Sequence, residues 1–388
     1  MTTEPPVIPA YGRASLADLV PSATAMLGGR ADGGRADGGR TDGERVVGGN
    51  VLRLPQAQRV VLLLVDGLGH RQLQRYAADA PYLSSLSQQT LTCGVPSTTA
   101  TSLTSLGVGL PPGAHGVVGY TSRIPGTNRL LNALRWDGSV DAVEWQPHPT
   151  ALALAARSGI ATTVVNKRAF ESSGLTLASQ RGADFVAADT AGERLAEAAR
   201  AAQPAPSLVY VYDSDLDGTG HRDGCESEAW RHQLATVDAF AQRLREAVPA
   251  DTLLVITGDH GMVDVAPGDR LDVDTEPELA EGVLLIGGEA RFRHLYCRSG
   301  SVDEVAERWR TRMGEDALVL TRAEAIAAGW FGGVRREVEP RLGDVLVACM
   351  GPVAVLSTER FPHETSLIGL HGSLTVEEMV VPLLVDLR

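Results

Sequence analysis

Short apolar runs that alternate with amphipathic helical patterns constrain the fold of this chain more than any other feature. Residues 60–65 read VVLLLV, a run without polar residues that is typical of a parallel strand buried on both faces. Strands that alternate with helices favour a mostly parallel sheet covered by helices on both sides, so the predicted fold class is α/β. The predicted strands of this type are residues 59–65, 162–165, 208–212, 253–257 and 283–286, and the predicted helices between them are residues 151–158, 191–202 and 228–248.

The chain has 388 residues, which is enough for one large α/β domain with insertions or for two domains. Residues 1–48 are predicted to be an N-terminal extension, because its Gly/Arg/Asp-rich repeat at 29–43 cannot bury apolar surface and should be disordered. Residues 49–388 are predicted to form the main domain, with a lid-like insertion at 120–145 and an inserted α/β subdomain at 268–333. The subdomain should hold a strand at 291–297 and helices at 302–313 and 323–328, and strands at 345–350, 353–357 and 380–385 should return the chain to the main sheet.

Charge and composition exclude several classes of partner. The net charge is −13 and aromatic residues make up 5% of the chain, so neither a basic stripe nor a set of base-stacking platforms is expected. We therefore expect no stable nucleic-acid binding, and any phosphate-bearing substrate must be held locally. The four scattered cysteines, the absence of a leader-like N-terminal pattern and the lack of a long apolar run predict a cytoplasmic protein without a membrane span.

Acidic residues and histidines follow the predicted strands, where ligand sites gather in open α/β sheets. Taken singly, an aspartate after a strand is commonly a helix N-cap, and a histidine on a loop is usually structural. Taken together, three aspartates and three histidines form the mixed oxygen and nitrogen ligand set that suits zinc. These candidate ligands are Asp66, Asp217, His221, Asp259, His260 and His371.

A hydroxyl-rich segment at residues 96–106 (PSTTATSLTSL) supplies candidates for a nucleophile. Such residues at a helix start can simply cap the helix. A hydroxyl there also meets the positive end of the helix dipole and free N–H groups, which attract a phosphoryl anion. A metal ion would lower the pKa of that hydroxyl. The chemistry of the residues alone leaves Ser97, Thr98, Thr99 and Thr101 as alternatives.

Five segments between residues 60 and 372 resemble the alkaline phosphatase superfamily, and within it the nucleotide pyrophosphatase/phosphodiesterase branch. In order they read VVLLLVDGLG, PSTTATSLTSLGVGLPPGAHGVVGY, DLDGTGHRDG, VITGDHGM and the HG at His371. The resemblance implies an alkaline-phosphatase-like three-layer α/β/α fold. It also implies that Asp217, His221 and His371 hold one metal ion. The second ion would be held by Asp66, Asp259, His260 and the nucleophile oxygen.

The same resemblance identifies the nucleophile. Aligning on residues 109–116 (GLPPGAHG) places it at Thr99 and gives His115 a structural role in the turn. Three residues later, where this branch usually carries an asparagine that contacts a phosphoryl oxygen, the chain has Ser102, which we expect to contact substrate less fully. Arg341 is a more distant candidate for stabilising charge, although a structural ion pair is favoured for it. This departure weakens the assignment to nucleotide diesters more than the assignment to phosphoesters.

The resemblance therefore implies a phosphodiesterase or nucleotide pyrophosphatase that acts through a phospho-threonine intermediate on Thr99, with in-line attack at phosphorus. Two divalent ions are expected, with zinc favoured and manganese or iron as alternatives. Substrate selection is expected in residues 120–145, which include several arginines and Trp136, and at Trp330 and Phe331 of the subdomain. The expected partner is a small phosphoester substrate, with a nucleotide as one candidate, and the protein is expected to be a monomer or a homodimer.

Other functions fit the same residues. A phosphomonoesterase or phosphonate hydrolase would use the same ligand set, and related metal sites also perform phosphomutase chemistry. A non-catalytic binding protein on this fold is a third class, which the complete set of six ligands disfavours.

Overall fold

The computed structural model of the protein describes residues 4–29 and 49–387, and the predicted disordered repeat lies, apart from Gly29, outside this range. Strands form where the apolar runs predicted them, with additional strands between them. The strands are β1 (Arg59–Val65), β2 (Ser87–Thr92), β3 (Thr121–Arg123), β4 (Leu130–Asn132), β5 (Ala161–Asn166), β6 (Asp184–Ala187), β7 (Ser207–Asp213), β8 (Thr252–Gly258), β9 (Val263–Asp264), β10 (Arg270–Asp272), β11 (Val283–Glu289), β12 (Phe292–Cys297), β13 (Ala317–Thr321), β14 (Val345–Cys349), β15 (Ala354–Leu356), β16 (Gly369–Leu370) and β17 (Val380–Asp386).

The five predicted helices begin within one residue of their predicted starts, and further helices lie before, between and after them. The helices are α1 (Leu19–Met26), α2 (His70–Arg75), α3 (Pro81–Ser85), α4 (Thr99–Val108), α5 (Pro112–His115), α6 (Ala142–Trp145), α7 (Ala151–Arg157), α8 (Gly174–Gln180), α9 (Ala191–Ala201), α10 (Asp215–Asp223), α11 (Glu228–Ala247), α12 (Pro277–Ala280), α13 (Val302–Met313), α14 (Arg322–Ala327) and α15 (Val376–Met379). Short 3-10 helices lie at Leu16–Asp18, Ala77–Asp79, Arg168–Phe170, Pro267–Asp269, Val273–Thr275, Gly314–Asp316, Glu339–Arg341 and Pro362–Ser366.

Seven strands form the main sheet in the order β2-β17-β8-β1-β7-β5-β6. The strands from β8 to β6 run parallel, while β17 is antiparallel to both β2 and β8. β1 lies between β7 and β8, and Val65 at its end is level with Asp213 on one side and Gly258 on the other. The carboxyl ends of these three strands therefore meet at one edge of the sheet.

Helices cover both faces of the main sheet, which confirms the predicted three-layer arrangement. Alternate residues of β1 point to opposite faces, as the period of two in a strand requires. Leu62 packs in a core with helices α1, α4 and α7, whereas Leu63 packs in a second core with α9 and α11. Both faces of β1 are buried, which explains why its sequence is apolar throughout.

A four-stranded antiparallel sheet, in the order β11-β12-β14-β13, forms a smaller body beside the main sheet. The run at 283–286 was predicted as a parallel strand, and that prediction is wrong, because β11 pairs antiparallel with β12. The predicted return of residues 345–350 and 353–357 to the main sheet is also wrong. β14 pairs with β12 and β13, and β15 pairs with β10. The third strand predicted to return, at 380–385, is β17, and it does join the main sheet.

The described part of the N-terminal extension packs into the fold. Leu16, Leu19, Val20 and Ala23 are buried in the core on the α4 face of the main sheet. The backbone of Val7 also hydrogen-bonds to Leu374 at 2.8 Å. Residues 16–23 of the predicted extension therefore pack against the main sheet. Within the described residues, no helix is both long enough and apolar enough to cross a bilayer.

Candidate metal centre

The carboxyl ends of β1, β7 and β8 bring the predicted ligands together. Asp66 follows β1 directly, Asp217 lies in the first turn of the helix after β7, and Asp259 and His260 follow β8. His371 arrives from β16, on a loop that is distant in sequence. Neighbouring parallel strands thus place side chains from sequence positions almost 200 residues apart at one edge of the sheet.

The first group surrounds the Thr99 hydroxyl. Thr99 Oγ1 lies 3.1 Å from His260 Nε2 and 3.4 Å from Asp66 Oδ1. His260 Nε2 is also 3.4 Å from Asp66 Oδ1 and 3.6 Å from Asp259 Oδ2. The side chains of Asp259 and His260 are completely buried. Two carboxylates, an imidazole and a hydroxyl therefore converge within hydrogen-bonding or ion-binding distance.

The second group is formed by Asp217, His221 and His371. His221 Nε2 lies 3.5 Å from Asp217 Oδ2, and His371 Nε2 lies 3.9 Å from Asp217 Oδ1. Candidate ligand atoms of these three residues are all within 4.8 Å of one another, and the same holds for Asp66, Asp217 and His260. Asp217 is thus close to both groups. The rings of His260 and His371 stack with centroids 3.6 Å apart.

The orientation of each imidazole fits a metal ligand. In His221, His260 and His371, Nδ1 lies 2.8, 3.0 and 2.9 Å from the backbone carbonyls of Gly369, Gly261 and Ser97, respectively. A carbonyl can only accept, so Nδ1 donates and Nε2 keeps its lone pair for an ion. The buried carboxylate oxygens Asp217 Oδ1 and Asp259 Oδ2 have no hydrogen-bond partner among the described residues. Unsatisfied buried oxygens facing free imidazole nitrogens are the donor set that a divalent cation would complete.

The electrostatics of the centre also favour a cation. Burial, together with the nearby carboxylates of Asp259 and Asp217, raises the pKa of Asp66 well above its usual value. Burial also raises the pKa of Asp259, while the charge of His260 opposes that shift. Burial and the neighbouring His260 and His221 lower the pKa of His371 well below its usual value. Positive charge would relieve the repulsion among the acids and bind neutral imidazoles.

Two further aspartates in the segment 213–217 have basic partners. Asp213 forms a buried ion pair with Arg194 at 2.7 Å, and Asp215 pairs with Lys167 at 2.7 Å. Asp213 Oδ1 also accepts a hydrogen bond from the Asp215 backbone. Asp213 and Asp215 are therefore paired with basic residues, and Asp217 is the aspartate of this segment that lies at the centre.

The candidate hydroxyls at the start of α4 have different surroundings. Thr98 is the N-cap residue, with an extended backbone, and Thr99 opens the helix beside the ligands. The Ser97 hydroxyl instead donates to the Ser373 carbonyl, and the Thr101 hydroxyl donates to the Val117 carbonyl. Within the described residues, Thr99 is the alternative whose hydroxyl contacts the candidate ligands.

Ser102 lies one turn further along α4. Its side chain is fully buried and sits beside the thiol of Cys93. It is therefore directed to the protein interior, and the substrate contact predicted for Ser102 stays a prediction.

Two residues near the centre were not predicted from the sequence. The Tyr212 hydroxyl donates a hydrogen bond to Asp66 Oδ2. Glu289, at the end of β11, packs against Gly372 and Thr98, and burial raises its pKa to about 8. Tyr212 lies in an apolar strand, so its own segment gives no sign of a polar role. Its position level with Leu64, two residues before Asp66, could have suggested the contact. Nothing in the sequence indicates that Glu289 comes near.

The remaining predicted residues have structural surroundings. His115 is buried and its ring bonds to the Ser105 hydroxyl at 2.9 Å, as expected for a turn residue. The ion pair favoured for Arg341 is replaced by a cation–π contact, since its guanidinium lies 3.8 Å above the Trp145 ring. Trp330 and Phe331 are buried in the core, so they pack rather than face a substrate.

Sequence comparison finds a family model and a curated relative that match parts of the chain. The model of the type I phosphodiesterase/nucleotide pyrophosphatase family matches residues 60–374. Human ectonucleotide pyrophosphatase/phosphodiesterase family member 7 is 39% identical over 77 residues, which are 18% of this chain and 17% of that protein. The chain therefore matches under a fifth of the length of this curated relative.

Solved structures with the same fold cover most of the chain. Murine ectonucleotide pyrophosphatase/phosphodiesterase 5 has a TM-score of 0.67 at 16% identity, over 85% of this chain and 88% of that one. An inactive threonine-to-alanine variant of the same murine protein, in complex with AMP, has a TM-score of 0.66 at 16% identity, over 84% and 87%. Phosphonoacetate hydrolase from Sinorhizobium meliloti 1021, in complex with phosphonoformate, has a TM-score of 0.62 at 17% identity, over 86% and 91%.

Proposed function

The chain belongs to the type I phosphodiesterase/nucleotide pyrophosphatase family, and we propose that it is a metal-dependent phosphoester hydrolase with Thr99 as its nucleophile. The observation that carries this proposal is the position of Thr99 Oγ1, 3.1 Å from His260 Nε2 and 3.4 Å from Asp66 Oδ1, at the first residue of α4. The free backbone N–H groups of the first helical turn favour a phosphoryl group in front of this hydroxyl.

The residues that would hold two divalent ions fall into the two groups described above. Asp66, Asp259, His260 and the Thr99 oxygen would hold one ion, and Asp217, His221 and His371 would hold the other. When bound, such ions polarise the phosphoryl oxygens and lower the pKa of the hydroxyl. Zinc suits the mixed carboxylate and imidazole set, with manganese or iron as alternatives.

The chain's own groups then define the reaction. The Thr99 oxygen loses its proton and attacks phosphorus in line, the ester P–O bond breaks, and the leaving oxygen takes up a proton. Water hydrolyses the resulting phospho-threonine, which restores the hydroxyl and releases the phosphoryl product. Asp66 Oδ1 accepts the hydrogen bond of the hydroxyl in the present geometry and orients it.

We propose phosphodiesters as the substrate class and a nucleotide as one candidate, because the family is named for these activities and a related fold binds AMP. The second candidate is hydrolysis of a phosphomonoester or phosphonate, supported by the phosphonoacetate hydrolase fold. A protein that only binds phosphoesters would not need a hydroxyl directed at the ligand set.

The test compares bis-p-nitrophenyl phosphate with p-nitrophenyl phosphate on zinc-loaded protein. Wild type should prefer the diester, and Thr99→Ala should lose at least ~1,000-fold in kcat/KM while it keeps its metal content. Thr104→Ala is the matched control, because the Thr104 hydroxyl bonds to the Ala100 carbonyl within the same helix. Activity in Thr99→Ala would exclude this nucleophile, and a preference for the monoester would favour the second candidate.

A further inference from the structure

The loop that carries His371 has little regular structure of its own to hold it. His371 follows the two-residue strand β16, and the next helix, α15, begins at Val376. The His371 ring is oriented by the Ser97 carbonyl, and the Gly372 backbone donates to the Ser97 hydroxyl at 3.2 Å. The position of the imidazole therefore depends on what fixes residues 372–375.

The carboxylate of Glu378 holds residues 372–375 in place. Its Oε1 accepts from the Ser373 backbone at 3.0 Å, and its Oε2 accepts from the Thr375 hydroxyl at 2.6 Å. The Ser373 carbonyl in turn receives the Ser97 hydroxyl at 2.7 Å. One side chain thus ties two points of the loop together, immediately after the histidine.

Glu378 is completely buried, so its charge requires a partner. Arg291 provides it: its Nε lies 3.1 Å from Oε1 and its Nη2 lies 2.6 Å from Oε2, and its own side chain is also completely buried. The same guanidinium donates to the carbonyls of Gly351 and Val353 at the turn between β14 and β15. Arg291 lies between β11 and β12 and therefore links the smaller sheet to the His371 loop.

We infer that Arg291 and Glu378 are positioning residues for His371, so that the docked β11–β12 turn determines whether the Asp217/His221/His371 group binds its ion. The inference rests on the proposed two-metal function. It assigns to the smaller sheet a role in assembling the centre, in addition to any role in choosing substrate. Neither residue belongs to the two groups of candidate ligands; both act through the backbone of residues 373–375.

Metal titration of the stripped, full-length protein provides the test, with isothermal titration calorimetry and elemental analysis as readouts. Wild type should bind two zinc ions. His371→Ala should lose one of the two sites and thereby identifies it in the titration. Arg291→Met should weaken zinc binding at that site by about 10–100-fold while the other site keeps its affinity. Arg291→Lys, which keeps the charge but not the bidentate geometry, should fall between the two.

Two further variants separate positioning from general loss of stability. Arg322→Met removes the ion pair of Arg322 with Asp344 at 2.5 Å, which supports β14 of the same sheet away from the loop. It should lower the melting temperature and leave both affinities unchanged. The double variant Arg291→Met/Glu378→Met removes both buried charges, so it should be more stable than Arg291→Met and still bind one ion weakly.

The outcomes are distinguishable from failure of the proposed function. Wild-type protein that binds no ions would contradict the two-metal proposal itself. If wild type and Arg291→Met both bind two ions with equal affinities, the inference alone is overturned. Equal weakening of both sites in Arg291→Met, or weakening by Arg322→Met as large as by Arg291→Met, would also overturn it.

Discussion

Tyr212 and Tyr210 are buried two positions apart on the same face of β7, but their hydroxyls differ. The Tyr212 hydroxyl donates to Asp66, whereas the Tyr210 hydroxyl has no hydrogen-bond partner among the described residues. Tyr212→Phe removes a donor that orients a candidate ligand. We expect zinc affinity at the Asp66 group to fall by about 10–100-fold, measured by calorimetric titration.

Tyr210→Phe is the matched control for that prediction. It removes an unsatisfied buried hydroxyl, so it should leave zinc affinity unchanged and keep or raise the melting temperature. Equal zinc affinities for the two variants would show that the Tyr212 hydrogen bond has no effect on the centre.

Glu289 gives a pH-dependent prediction for the metal-free protein. Burial raises its pKa to about 8, so it stays protonated in the folded state while it ionises in the unfolded state. The stability that it contributes is complete below its ordinary pKa of about 4.5 and is lost as pH rises towards 8. Glu289→Gln cannot ionise. Its melting temperature relative to wild type should therefore rise from pH 5 to pH 8 and level off above.

Glu364 is a suitable control because it is a charged neighbour of Glu289 and pairs with the buried Arg293. Glu364→Gln leaves that guanidinium unpaired and should lower the melting temperature across this range. A constant difference between Glu289→Gln and wild type from pH 5 to pH 8 would contradict the raised pKa.

The six candidate ligands could be predicted as a set, because five of them follow predicted apolar strands and parallel strands align their carboxyl ends. The sixth, His371, lies in the loop before the last strand. The choice of Thr99 required the family resemblance, since the local chemistry of four hydroxyls is the same. Tyr212 was not predicted, because its contact with Asp66 depends on the register between β7 and β1, and the position of Glu289 depends on the docking of a distant hairpin. Neither leaves a pattern in its own segment.

The turn that ends β1 depends on a glycine. Gly67 has a φ of 76°, and a Cβ there would lie 3.0 Å from the Cα and Cβ of Asp217. Gly67→Ala should cost about 1–2 kcal/mol from the left-handed backbone alone, and it should also displace Asp217. We expect a lower melting temperature and weaker zinc binding by both groups, since Asp217 lies close to both.

Gly218 offers the opposite case one residue after Asp217. It lies within α10, and a Cβ there would meet nothing within 4 Å. Gly218→Ala should therefore stabilise the protein by about 0.5–1 kcal/mol and leave zinc binding intact. Weaker zinc binding in Gly218→Ala would mean that α10 must flex to hold the ion.

The positions of helices and strands were predicted better than the pairing of the strands. Helix α13 was predicted to the residue and β1 likewise, because a long periodic pattern or an apolar run marks each one. β14 was assigned to the wrong sheet, since an apolar strand buried on both faces reads the same in a parallel and an antiparallel sheet. Pairing is set by tertiary contacts that the segment itself does not encode.

Metal removal should affect the whole molecule. Asp66, Asp217 and Asp259 repel one another when no cation lies between them. An ion at about 1,000 times its dissociation constant stabilises a protein by about 4 kcal/mol. Zinc should therefore raise the melting temperature of stripped protein by several degrees, and EDTA should reverse the shift in differential scanning calorimetry. His371→Ala should retain only part of this shift, and an unchanged wild-type melting temperature would exclude a preformed centre.

The place of β17 in the main sheet has a consequence for synthesis. β17 comes last in sequence among the seven strands of this sheet, yet it lies between β2 and β8. While the ribosome is still making the chain, β8 has one open edge and β2 has no partner in the sheet. An open edge can pair with another chain. The growing polypeptide must therefore keep this gap unpaired until some 120 residues after β8 have emerged. A second nascent chain is the competitor for that gap, so rapid production at high concentration should favour strand exchange between copies.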